Sequence, residues 1–129
     1  MRFSNTRKAL VGIGSKNLRA DFERMLALIE RASDAQKTLA GHRATRLISL
    51  TVKLQKTLSA KTRTSILAAF LADSERANLA HQWERKKDYE CGPADDCSKP
   101  SPTMTCFRDT SEDNSCFTVP TKLLPAHWQ

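Results

Sequence analysis

The stretch ILAAFLADSERANLAHQWERKK, residues 66–87, decides how this chain is read, because all five prolines of the sequence lie beyond Glu90. A proline ring removes a backbone donor and clashes with the preceding turn, so continuous helices are expected only within residues 1–90. Leu67, Leu71 and Ala72 begin an apolar face, and Leu79 and Trp83, four residues apart, continue it. Thr64 or Ser65 is the expected cap, after a segment rich in Ser, Thr, Lys and Arg at residues 59–65. The stretch predicts a helix from about residue 66 to residue 87.

Upstream, two further helices are expected. After Gly14-Ser15, the residues Leu18, Phe22, Met25, Leu26, Ile29 and Ala32 recur at helical spacing on one stripe. Ser33-Asp34 offers an N-cap oxygen, which starts a second helix near Ala35 with Leu39, Leu47, Leu50, Leu54 and Leu58 on its buried face. Gly41 lies in that span and marks an alternative start near His42. Three amphipathic helices with short connections bury their stripes most simply as an antiparallel bundle. The expected fold is therefore all-α, an antiparallel three-helix bundle over residues 16–90, preceded by a basic N-terminal segment, 1–15, and followed by an extended, cysteine-containing C-terminal tail, 91–129. No strand pattern is read.

The tail carries Gly-Pro, Lys-Pro-Ser-Pro and an acidic, Ser/Asn-rich loop at residues 110–115, which is turn chemistry without periodicity. Its apolar residues, Met104, Phe107, Phe117, Val119, Leu123, Leu124 and Trp128, are too sparse for a core, so it is expected to run along another surface. Trp128 then anchors in a neighbour's pocket. Cys91, Cys97, Cys106 and Cys116 are separated by five, eight and nine residues. Structural zinc sites usually gather close pairs with two to four intervening residues, which these spacings do not provide. One or two disulfides that replace a missing core are the leading reading, with free thiols and zinc as alternatives. No resident metal or cofactor is expected.

Charge is divided between the halves. The net charge is +7, with 18 Lys/Arg against 9 Asp/Glu in residues 1–90 and 3 against 5 in residues 91–129. Residues 35–72 hold Lys37, Arg43, Arg46, Lys53, Lys56, Lys61 and Arg63 and no acid. Such a field suits an acidic partner, or a solvated helix face. The first twenty residues hold Arg2, Arg7, Lys8, Lys16 and Arg19, several Ser, Thr and Asn, and no acid, the composition of a mitochondrial import sequence. The longest apolar run, residues 66–72, falls far short of the ~18–20 residues that cross a bilayer, so no membrane span is expected. His42, His81 and His127 have no partner at metal-binding spacing, and no phosphate loop, nucleophile elbow or carboxylate pair is found, so no enzymatic activity is expected.

Lys8-Ala9-Leu10-Val11-Gly12-Ile13 before the first helix, Ala40-Gly41-His42-Arg43 at the second, and Glu75 with Asn78-Leu79-Ala80 in the third, followed by Trp83 and Lys86, stand in an order and approximate spacing that resemble a known family. Over residues 8–87 the chain resembles the 13 kDa B-type accessory subunits of mitochondrial respiratory complex I, the alpha-subcomplex subunit 5 family. The resemblance implies a three-helix, non-catalytic subunit on the matrix-facing peripheral arm and assigns no catalytic residue. The cysteine tail replaces that family's Trp- and Pro-rich ending. The functional expectation is a structural subunit of a large assembly, with Arg43, Arg46, Lys53, Lys56, Trp83, Leu123, Leu124 and Trp128 in partner contacts. The alternative is a basic helical RNA-binding protein, such as a mitochondrial ribosomal subunit, with the bases on phosphates.

Overall fold

The structure of the protein, a computed structural model, describes residues 3–110 and 115–129. Arg2 and residues 111–114 of the expected acidic loop lie outside the described residues. The fold is α+β and not all-α: among the described residues, four α-helices lie in one unit, residues 1–79, and a three-stranded antiparallel sheet lies in a second, residues 80–129. The division thus falls after Leu79, eleven residues before the expected end of the bundle at residue 90.

The reason lies inside the opening stretch. Its helix, α4 (Ala60–Arg76), begins earlier than expected because Ser59 caps it, the hydroxyl accepting from the Thr62 amide at 3.1 Å. It stops at Arg76 because Asn78 takes the left-handed conformation, φ 58°. The Leu79 amide then donates to the Ser74 carbonyl at 2.8 Å and the Asn78 amide to Glu75 at 3.0 Å, closing the helix in a Schellman pattern. Trp83, read as a helical residue, instead opens a strand.

In the helical unit, α2 (Lys16–Asp34) matches the leucine-rich stripe, with Phe22, Leu26 and Ile29 buried and Ser15 capping the Leu18 amide at 3.2 Å. It continues through Ser33-Asp34, the expected cap of the next helix. Gln36, at φ 57°, ends it by the same pattern, with Lys37 donating to the Ala32 carbonyl. The next helix is α3 (Thr38–Leu54), and Gly41 lies within it. The N-terminal segment is also ordered: α1 (Ser4–Ala9) packs on α4. Six residues are too few to hold a helix alone. Tertiary contacts hold this one. Phe3 is fully buried and stacks on Phe70 at 5.6 Å, and the buried Asp73 carboxylate accepts from the Thr6 amide (2.8 Å), the Thr6 hydroxyl (2.7 Å) and the Asn5 amide group (3.1 Å). Arg76 pairs with the same carboxylate. Arg7 joins α1 to α2, its guanidinium gripping both Glu30 oxygens at 2.7 and 2.8 Å and Glu23 at 2.9 Å. This bidentate grip holds the Glu30 carboxyl below the usual glutamate range, against the opposing effect of partial burial.

In the sheet unit, β1 (Trp83–Glu90), β2 (Lys99–Asp109) and β3 (Cys116–Pro120) lie in sequence order, β2 in the centre. The residues expected to be an extended tail thus form two strands, with the third taken from the expected helix. Trp83 faces Asp109 and Phe107 faces Phe117 across the ladders, and the first register shifts beyond Lys87, beside Asp88 at φ 69°. Phe107 and Phe117 stack at 5.5 Å and Trp83 meets Phe117 edge-on at 6.0 Å, with Cys106, Cys116, Val119 and Leu124 also buried. The edge strand β1 is exposed from Glu84 to Asp88, and Arg85, Lys86 and Lys87 keep that edge charged.

Candidate functional site

The two faces of α3 are reversed relative to the leucine pattern. Its buried residues are Gly41, Thr45, Ile48, Ser49 and Val52. Their polarity is neutralised locally: the Thr45 hydroxyl donates to the His42 carbonyl at 2.8 Å and the Ser49 hydroxyl to the Arg46 carbonyl at 2.9 Å. Gly41 admits the Leu79 side chain, whose Cδ2 lies 3.1 Å from where a Cβ would stand. With that face inward, the leucines expected in the core point out. Leu39, Leu47 and Leu54 are 60, 59 and 69% exposed, and Leu50 is half-buried. Leu58 is buried, in the turn beyond the helix.

Leu47, Leu50 and Leu54 follow the i, i+3, i+7 spacing that one helix offers another, and Ala40 continues the row one heptad earlier. Beside it, α2 exposes Leu28, and a shallow hollow of about 740 Å³ between the two helices and their turn is lined by Leu28, Ala32, Ala35, Ala40 and Ala44 together with the charged Arg31, Asp34 and Lys37. Small residues in such a hollow let a further helix approach closely. Arg43 is exposed along this row, Arg46 and Lys53 are half-buried on the same helix, and Lys56 is exposed just past its end. No acidic residue lies in α3. The structure thus joins four of the expected contact residues to an apolar row that the sequence had assigned to the interior.

The other expected contact residues lie in the sheet unit and mostly serve its own packing. Trp83 is 6% exposed and Leu124 4%. Trp128, expected to anchor in a neighbour, packs at 6.0 Å from the Phe107 ring, with the Arg85 guanidinium 4.6 Å over its face. Gln129 secures this ending through its side-chain amide, which donates to the Leu124 carbonyl at 2.8 Å. Leu123 is exposed. The four cysteines are joined as Cys91–Cys116 and Cys97–Cys106, and the Cys91 and Cys106 sulfurs lie 3.9 Å apart. Of the RNA-directed bases, Arg63 donates to the Gln55 and Leu58 carbonyls at 3.0 and 2.6 Å, which fixes the α3–α4 turn.

Among the described residues no helix is long and apolar enough to cross a membrane. No protein-family profile, curated protein sequence or solved structure matches this chain.

Proposed function

We propose that this protein is a non-catalytic subunit of a larger protein assembly and docks through the leucine row of α3. The observation that carries the reading is the outward placement of Leu39, Leu47 and Leu54 on a helix whose opposite face is buried. Apolar side chains at heptad spacing gain from burial against a second helix. The occupant is an amphipathic helix of a different chain with acidic flanks. Self-pairing of α3 would set the bases Arg43, Arg46 and Lys53 of one copy against the same bases of the other, on a helix that carries no acid of its own. An acidic flank turns the same charges into steering and register contacts.

The assembly we propose to test first is the matrix-side peripheral arm of mitochondrial complex I, on the strength of the residue matches at 8–13, 40–43 and 75–80 and the acid-free, basic N-terminus. In that setting the chain is an accessory subunit with no part in electron transfer.

The test compares the wild-type chain with a Leu47→Glu/Leu54→Glu variant in its own cells, using native gels and cross-linking at Lys53 and Lys56. Wild type is expected in a high-mass complex, cross-linked to an acidic, apolar-faced helix. The folded variant is expected to run free. Equal incorporation of both chains overturns the reading. So does an exclusively self-paired wild type, or a complex with RNA that dissolves steeply with salt, the mark of phosphate contacts.

A further inference from the structure

The four cysteines converge from separate parts of the sheet unit. Cys91 follows β1, Cys97 precedes β2, Cys106 lies within β2, and Cys116 opens β3. The sulfurs of Cys91, Cys106 and Cys116 all lie within 4.8 Å of one another, and the Cys97 sulfur, outside that group, is bonded to that of Cys106. The chain between them is built for this return. Gly92 donates to the Asp96 carbonyl at 2.7 Å and accepts from the Asp95 amide at 3.0 Å. A Cβ on Gly92 would stand 2.3 Å from the Ser98 hydroxyl, which would have to swing aside to admit it. The Cys91 amide donates to the Thr118 hydroxyl at 2.9 Å, and Thr118 faces Cys106 across the β2–β3 ladder.

A tetrahedral zinc tetrathiolate with Zn–S bonds of about 2.3 Å sets its sulfurs about 3.8 Å apart. Cys91 and Cys106, which are not bonded to each other, already stand 3.9 Å apart. Close pairs along the sequence are one way to gather four thiolates, and adjacent strands with a tight return are another. We infer that the reduced chain binds one Zn²⁺ through Cys91, Cys97, Cys106 and Cys116, and that the two disulfides are the oxidised form of the same site.

The chemistry balances. Each disulfide takes two electrons and two protons from a dithiol, which becomes a disulfide in turn, and Zn²⁺ then displaces the four thiol protons. In reverse, two molecules of hydrogen peroxide and four protons oxidise the four bound thiolates to two disulfides, releasing Zn²⁺ and four waters. Cys106 and Cys116 are buried and hold the site in the sheet, while Cys97 borders a cleft of about 650 Å³ that offers a way in. Arg85, Lys86 and Arg108 line that cleft against Glu84 and Asp96, a single net positive charge beside the double negative charge of a zinc tetrathiolate.

The full chain, reduced with a phosphine under argon and desalted, is titrated with Co²⁺ and then Zn²⁺. The expected result is one Co²⁺ per chain with the absorption of tetrahedral thiolate ligation, displaced by one equivalent of Zn²⁺. Zinc should slow thiol labelling roughly tenfold or more, and peroxide should release it with no thiol left to label. Cys97→Ser should weaken Co²⁺ binding by roughly tenfold or more and reduce the thiolate charge-transfer intensity. A reduced chain that takes up no metal overturns the inference, whether or not the sheet persists. Binding of Co²⁺ by Cys97→Ser as strong as by wild type overturns it equally.

Discussion

Adjacent residues on α3 should respond in opposite ways to the same truncation, and the contrast tests which face of the helix is the core. Burying a leucine side chain fully contributes about 1.5–3 kcal/mol. Leu47 is 59% exposed, so only about two fifths of that contribution is at stake, and Leu47→Ala should cost about 1 kcal/mol or less. Ile48 is 1% exposed, and its truncation removes buried methyl groups and leaves a cavity, for a cost of about 2–5 kcal/mol. Thermal melts followed by helical circular dichroism would read these as a fall of about 5 °C for Leu47→Ala and of more than about 10 °C for Ile48→Ala. Val52→Ala, on the same face as Ile48, should behave like Ile48→Ala, and Leu54→Ala like Leu47→Ala. If Leu47→Ala is the more damaging change, the leucines are the core after all, and the docking row does not exist.

Two further perturbations address the helical unit. Asp73→Ala should destabilise it by about 3 kcal/mol in urea unfolding, because it strips charge-assisted bonds from Thr6 and leaves the buried Thr6 amide without its acceptor. A cost below about 1 kcal/mol would show that α1 does not depend on that carboxylate. The Arg7–Glu30 pair predicts a pH dependence: the folded Glu30 pKa is depressed, so its stabilisation is complete above the unfolded glutamate value of about 4.3 and is lost as pH falls through the lower folded value. Wild type should therefore melt higher than Glu30→Gln at pH 6, with the difference narrowing as the pH falls through the depressed folded value, below the ordinary glutamate range.

Much of the helical unit was legible because its signals are local. The α2 stripe and the Gly14-Ser15 start need only spacing and a hydroxyl. The stops were not legible, since Gln36 and Asn78 adopt the left-handed conformation that glycine usually marks, and neither residue announces it. Missing the stop at Asn78 carried the helix reading into Trp83 and concealed β1. That strand gives no alternation to find, because its edge position leaves Glu84 to Asp88 in water. Pro100 and Pro102 lie in β2 and read as punctuation. In α3 the spacing of the leucines was correctly seen and the face wrongly assigned. Composition favours leucine inside, but internal bonds from Thr45 and Ser49 and the gap at Gly41 make the other face the better fit to its neighbours. The cysteines were recognised as crosslinking candidates, but their common meeting point depends on strand register, which no spacing rule encodes.

The order of the cysteines also sets a problem for the nascent chain. Synthesis runs from the N-terminus, so the helical unit can condense while the cysteines are still emerging, and Cys116 is the last of the four to appear. Until then Cys91 has Cys97 as its nearest available mate, a short-range pairing absent from the finished protein. A cell producing this chain in an oxidising compartment must therefore delay thiol oxidation until Cys116 has emerged, or supply an isomerase to undo the premature link.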